Sequence, residues 1–128
     1  MDKPIILDTC VLVDFLRGYK KAVTFVISNQ DRIALSPIVL AELHAGARDD
    51  DEISELDRLP LLFPIVLVSA EIARLGGAYM RAYSKSHGLG FADAILAATA
   101  TTQGAILKTL NIRHFPMFRG LKAAYKKA

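Results

Sequence analysis

Four short runs of consecutive apolar residues punctuate the chain, at Ile5–Leu7, Ile33–Leu35, Ile65–Val68 and Ala105–Leu107. Runs that are apolar on both faces predict buried parallel strands rather than strands with one wet side. Between them the spacing is helical. One helix is expected over Tyr19 to Ser28. A second opens at Ser36-Pro37, serine as N-cap and proline at the first helical position, and extends to about Arg48. A third follows the acid run Asp49–Glu52, with Ile53, Leu56 and Leu59 on one stripe and acids at its positive end. The fourth covers Ser69 to about His87, with Ile72, Leu75, Tyr79 and Tyr83 on one face. Gly88 and Gly90 separate it from a fifth, Phe91 to Thr102, which Gly104 closes. Strands alternating with helices predict an α/β fold whose parallel sheet is covered on both sides. Gly76-Gly77 weakens the fourth helix by roughly 1 kcal/mol per glycine relative to alanine. Close helix packing, inside the fold or across a dimer, is the expected reason.

Composition narrows the class. The chain has 128 residues, which fits one domain over residues 1–128. Hydrophobic residues make up 52%, and the mean hydropathy of +0.31 is high enough to predict a self-association surface. Cys10 is the only cysteine, so no intrachain disulfide can form and a reducing cytoplasm is the expected location. The apolar stretch Leu61–Val68 is broken by Pro64 and too short to span a bilayer, so no membrane association is expected. The formal charge is +3. Acids gather at Asp49–Glu52, while the end is basic through Arg113, Arg119, Lys122, Lys126 and Lys127. A basic rim beside an acidic pocket suits a polyanion, although a solvated surface explains the tail alone equally well.

Three acids stand where an apolar pattern should exclude them. Asp8 ends the run Pro4–Leu7, Glu42 lies inside Ile38–Leu43, and Asp93 lies inside Phe91–Leu96. A carboxylate on an apolar face costs free energy unless a cation or hydrogen bonds compensate it. Asp8 also reads as a strand-ending turn residue and Asp93 as an ordinary acid in a first helical turn. Neither cap nor turn explains Glu42, whose offsets from Ile38, Val39, Ala45 and Gly46 predict an inward face. In open α/β sheets reactive groups gather beyond the carboxyl ends of the strands. Three converging carboxylates would call for a divalent cation, and all-oxygen ligation favours Mg²⁺, with Mn²⁺ as substitute. Such a cation makes hydroxide available near neutral pH for attack on a phosphodiester.

The ordered motifs carry a resemblance. Leu7-Asp8-Thr9, Val39–Leu43, Ala92–Ala97, then Thr109-Leu110-Asn111 with His114-Phe115 are similar to those of PIN-domain ribonucleases. Within that family the stretch Asp8–Gly18 most resembles VapC-type toxins of prokaryotic toxin–antitoxin pairs. The resemblance spans essentially the whole chain. It implies a three-layer α/β/α sandwich with a central, mainly parallel sheet. It also implies a Mg²⁺-dependent endoribonuclease with Asp8, Glu42 and Asp93 as catalytic, metal-holding acids. Thr9 and Thr109 would then orient ligands or water. Asn111 stands where the family often has a fourth acid and brings no charge, which bears on a second metal. The implied partners are an RNA, such as a tRNA or rRNA, a cognate antitoxin whose C-terminal segment lies over the acidic pocket, and a second copy of the chain. A housekeeping RNA-processing PIN nuclease would share every motif. A non-catalytic RNA-binding module would predict a broken triad, and this one is intact.

Other chemistries fit less well. A phosphoryl-accepting aspartate of the haloacid-dehalogenase type needs a second Asp where Cys10 stands. A cysteine phosphatase loop needs its arginine at Leu16 rather than at Arg17. Cys10 is therefore expected to be a small packed residue rather than a nucleophile. His44, His87 and His114 form no ligand set, and packing beside Phe115 is the expected role of His114.

Overall fold

The computed structural model describes residues 2–127. The run Ile5–Leu7 becomes β1, the middle strand, which pairs in parallel with β2 (Ile33–Ala34) on one side and β3 (Ile106–Lys108) on the other. Ile5 lies opposite both Ile33 and Ile106, and Ile6 opposite Ala34 and Leu107. A strand with neighbours on both edges and helices on both faces has no wet side. Ile5, Ile6 and Leu7 are accordingly fully buried.

Among the described residues seven helices surround this sheet: α1 (Thr9–Leu16), α2 (Lys20–Ser28), α3 (Pro37–Ala45), α4 (Asp50–Asp57), α5 (Leu59–Leu62), α6 (Ala70–His87) and α7 (Phe91–Thr102). The result is the three-layer α/β/α arrangement around a parallel sheet that the resemblance implies. Caps follow the residue types. Asp8, Ser36, Asp49 and Ser69 each accept a backbone N–H of the helix they open. Among the described residues, no helix is long and apolar enough to cross a membrane.

One element, α1, is not among those the sequence predicts, and two others differ from the expectation. The helix α1 arises where Thr9, Val11 and Val13 argue locally for extended backbone; the Asp8 cap and the complete burial of Val11 and Leu12 outweigh propensity. Instead of reaching Arg48, α3 stops at Ala45 with Gly46 as its C-cap. Arg48 turns its backbone N–H and guanidinium to Glu52 at the start of α4. The expected strand Ile65–Val68 shrinks to one parallel bridge, Leu35 to Ile65, with Leu67 and Val68 exposed beyond it. The chain enters that bridge from Pro64 and leaves it for the Ser69 cap of α6, which leaves little length for a ladder.

The packing of α6 on α7 explains one of the paired glycines. A Cβ on Gly76 would sit 2.9 Å from Ile95 Cδ1, so the helices approach closely there, whereas Gly77 faces open space. Ile72, Ile95 and Ala98 form a small core where these helices meet. Past β3 the chain makes a 3-10 turn (Ile112–His114), buries Phe115 and returns along α1 and α2. There Tyr125 donates its hydroxyl to Asp14 at 2.7 Å, and Lys127 donates to the same carboxylate at 3.0 Å while lying over the Tyr19 ring. Burial works to raise the Asp14 pKa, but these two donors and the charges of Lys127 and Arg17 outweigh it and hold the carboxyl below its ordinary value.

Candidate active site

From β1 the chain steps outward to β2 and then to the Ile65 bridge, and only afterwards crosses to β3 on the other side of β1. The crossover direction therefore reverses between β1 and β3. The carboxyl ends of two such strands are where an open α/β sheet leaves a crevice. Asp8 follows β1, Thr109 follows β3, and Asp8 N–H bonded to the Lys108 carbonyl at 2.9 Å joins the two ends.

Asp8 is 6% exposed, and both of its oxygens are engaged. Oδ1 accepts the Thr9 backbone N–H at 2.8 Å as the cap of α1, and Oδ2 accepts the Thr109 hydroxyl at 2.6 Å. Thr109 is completely buried, and its oxygen in turn accepts the Asn111 backbone N–H at 2.9 Å. Asn111 thus enters the site through its main chain; its side chain is exposed and does not cap the turn it opens. Cys10 knits the same seam. Its sulfur lies 3.7 Å from Asp8 Oδ2 and accepts the Leu110 N–H at 3.4 Å. Burial, then the Asp8 charge, pushes the Cys10 thiol up, which keeps it protonated and unsuited to nucleophilic attack.

Glu42 does not occupy the inward face its spacing predicts. The core side of α3 is Val39 and Leu43, and Glu42, one position before Leu43, is exposed at the cleft edge. There it accepts the Thr9 hydroxyl at 2.6 Å. A cleft of about 270 Å³ continues from Thr9 and Glu42 between α1, α3 and α4, bordered by Arg17, Arg48, Glu52 and Glu55.

Asp93, in the first turn of α7, is partly buried, with 29% of its side chain exposed. Burial raises its pKa, the nearby charges of Asp8 and Glu42 raise it further, and His114 offsets part of the rise. His114 Nδ1 lies 3.5 Å from Asp93 Oδ2. The expectation that His114 packs beside Phe115 is therefore corrected: Phe115 goes into the core, while the turn between them directs the imidazole to the acid. The signal available in the sequence was position alone, three residues past Asn111.

Asp93 thus feels the charges of Asp8 and Glu42, but each oxygen set turns to its own hydroxyl, N–H or imidazole. Among the described residues no three His, Cys, Asp or Glu side chains close into a cage around a single point. The donor chemistry still fits a hard divalent cation: the oxygens belong to carboxylates, and a cation would offset both the burial of Asp93 and the charges of Asp8 and Glu42 near it.

The PIN domain model matches residues 5–117, and the chain belongs to the PIN-domain family. Its relatives include Ribonuclease VapC19 of Mycobacterium tuberculosis, 42% identical over 94% of this chain and 98% of the relative. Ribonuclease VapC10 of the same organism is 38% identical over 94% and 92%. Among solved structures, a toxin–antitoxin complex from Klebsiella pneumoniae aligns with a TM-score of 0.82 at 25% identity, covering 96% of this chain and 99% of that one. VapBC2 from Rickettsia felis, bound to a DNA fragment from their promoter, aligns at 0.76 and 26% identity over 93% and 96%. The family and fold implied by the motifs are borne out.

Proposed function

We propose that this chain is a Mg²⁺-dependent endoribonuclease and the toxin of a toxin–antitoxin pair, working in the cytoplasm as a homodimer. The observation that carries the reading is that hydroxyls and an imidazole around the β1/β3 switch each hold one of the acids, Thr109 on Asp8, Thr9 on Glu42 and His114 beside Asp93. Asp8, Glu42 and Asp93 are the residues that would hold Mg²⁺, or Mn²⁺ in its place. Bound there, the cation would lower the pKa of water and neutralise charge developing on a phosphodiester.

The chain's own groups prepare that site. The Thr109 hydroxyl fixes the Asp8 oxygen that faces the β3 side, and the Thr9 hydroxyl holds Glu42 toward the cleft. Hydroxyl donors of this kind orient acids that bind metal. His114 aims its Nδ1 at Asp93 and offsets part of the charge there. Asn111 adds no fourth charge to those of Asp8, Glu42 and Asp93, which favours a single cation.

The ribonuclease relatives support an RNA substrate, and the toxin–antitoxin complexes among the structural neighbours support an antitoxin partner, whose C-terminal segment we place over the crevice. The face of α6 on which Gly77 meets open space is the surface we assign to the second copy. The test is RNA cleavage by purified protein with Mg²⁺ and with EDTA, alongside Asp8→Asn and Asp93→Asn. Cleavage and growth arrest on induction should vanish in both variants, with the fold retained. Cleavage unchanged in both would end the reading. Growth arrest relieved by the neighbouring gene's product separates a toxin from an RNA-processing PIN nuclease.

A further inference from the structure

Every acid of the chain lies at or before Asp93, whereas Lys108, Arg113, Arg119, Lys122, Lys126 and Lys127 all follow it. The segment after α7 is therefore a purely cationic stretch running from the active crevice to the tail. Between its 112–121 portion and the end of α6 lies an open groove of about 490 Å³. Phe115, Phe118 and Leu121 contribute to its apolar floor, and His87 and Arg113 stand exposed at its rim. Among the described residues no carboxylate lines it. It begins at the turn whose His114 reaches Asp93, so the groove adjoins the element that touches one of the acids.

We infer that this groove is a nucleobase subsite, taking one unpaired base next to the phosphate held at Asp8 and Asp93. The inference rests on the nuclease reading for the identity of the polyanion. Charge favours a polyanion here, where Arg113 has no lining carboxylate against it, over the far end of the Thr9–Glu42 cleft, where Glu52 and Glu55 stand against Arg17 and Arg48. Shape and polarity then select the part of the polyanion. A bare phosphate needs cations but no apolar floor, whereas a base offers a flat π face for Phe and Arg planes and leaves its phosphate to the rim. The volume lies within the range of about 300–1,000 Å³ common for small-molecule sites. The His87 ring is held in place by an edge-on approach to Tyr83 at 5.7 Å and by Ser86 Oγ at 2.7 Å, so it is an oriented wall of the groove.

The four nucleoside 5′-monophosphates, ribose 5-phosphate and a hexaglutamate peptide are titrated by NMR into the full chain in EDTA, which keeps phosphate off the acids. At least one nucleotide should bind about tenfold more tightly than ribose 5-phosphate, the scale of one base–aromatic stack, with shifts confined to the groove. His87→Ala should lower that preference. Arg113→Lys is the sharper probe, because it keeps the charge but loses the planar guanidinium; phosphate binding should survive while the base preference falls severalfold. Equal binding of nucleotide and ribose phosphate, tighter binding of the peptide, or a preference untouched by Arg113→Lys would each overturn the inference. Asp93→Asn should leave the preference intact, which separates the two readings. A protein that cleaves RNA without base preference loses only the subsite; one that prefers nucleotides but cleaves nothing loses only the nuclease.

Discussion

Thr109 shows how much one buried hydroxyl can govern. It gives its proton to Asp8 at 2.6 Å and takes the Asn111 N–H on the same oxygen, so it sets the acid and the following turn together. Replacing it with valine keeps the volume and removes both bonds. Cleavage, and the Mg²⁺ concentration needed for it, should worsen about 10–100-fold, and Thr109→Ser should restore most of the loss; a Mg²⁺ titration of cleavage rates checks this. Asp14 makes a separate, stability-linked prediction. Its folded pKa lies below the ordinary 3.8, so its stabilisation is complete above that value and is lost as pH falls through the lower folded value. At pH 7, Asp14→Asn should cost about 1–2 kcal/mol, allowing for the half-exposed Lys127. Urea midpoints measured at pH 7 and at pH 3 should show the gap to the parent narrowing in acid.

Elements were legible where burial and local preference agree, and illegible where they compete. Ile5–Leu7 has one reading, and the structure has that strand at those residues. The β-branched Thr9–Val13 region points locally toward strand, and only the Asp8 cap and the burial of Val11 and Leu12 turn it into α1. Leu67 and Val68 look like strand but have no partner on their side of Ile65. Of the site, Asp8 and Asp93 were readable as residues beyond strand ends and in a first helical turn. The exposure of Glu42 and the reach of His114 were not, since which face of α3 meets the core and where a 3-10 turn points depend on tertiary packing. The helix α6 supplies a paired test. Gly77→Ala should stabilise the monomer by about 0.5–1 kcal/mol, because the new methyl meets only open space in a helix interior. Gly76→Val should destabilise by about 1–3 kcal/mol through Ile95. Thermal melts of both variants decide it.

At the scale of the molecule, charge is sorted along the chain. The α4 end carries Asp49–Glu52, and everything past Asp93 is neutral or cationic. A polyanion bound across the second region should show binding that weakens linearly in log salt. Substituting Arg119 and Lys122 by alanine should lower that slope by about 0.7 for each single-strand phosphate these side chains neutralise, measured by fluorescence anisotropy with labelled RNA on the Asp93→Asn protein. An unchanged slope would place the polyanion elsewhere.

The seam that joins the ends of β1 and β3 contains the chain's single cysteine sulfur, wedged between Asp8, Thr109 and the Leu110 amide. Thiol reagents therefore have one target, and it is guarded by the same two strands that frame the acids. Cys10 is only half-buried there, so the rate of its alkylation, readable by mass spectrometry, reports how far the raised thiol pKa and the packing of that seam hold it back.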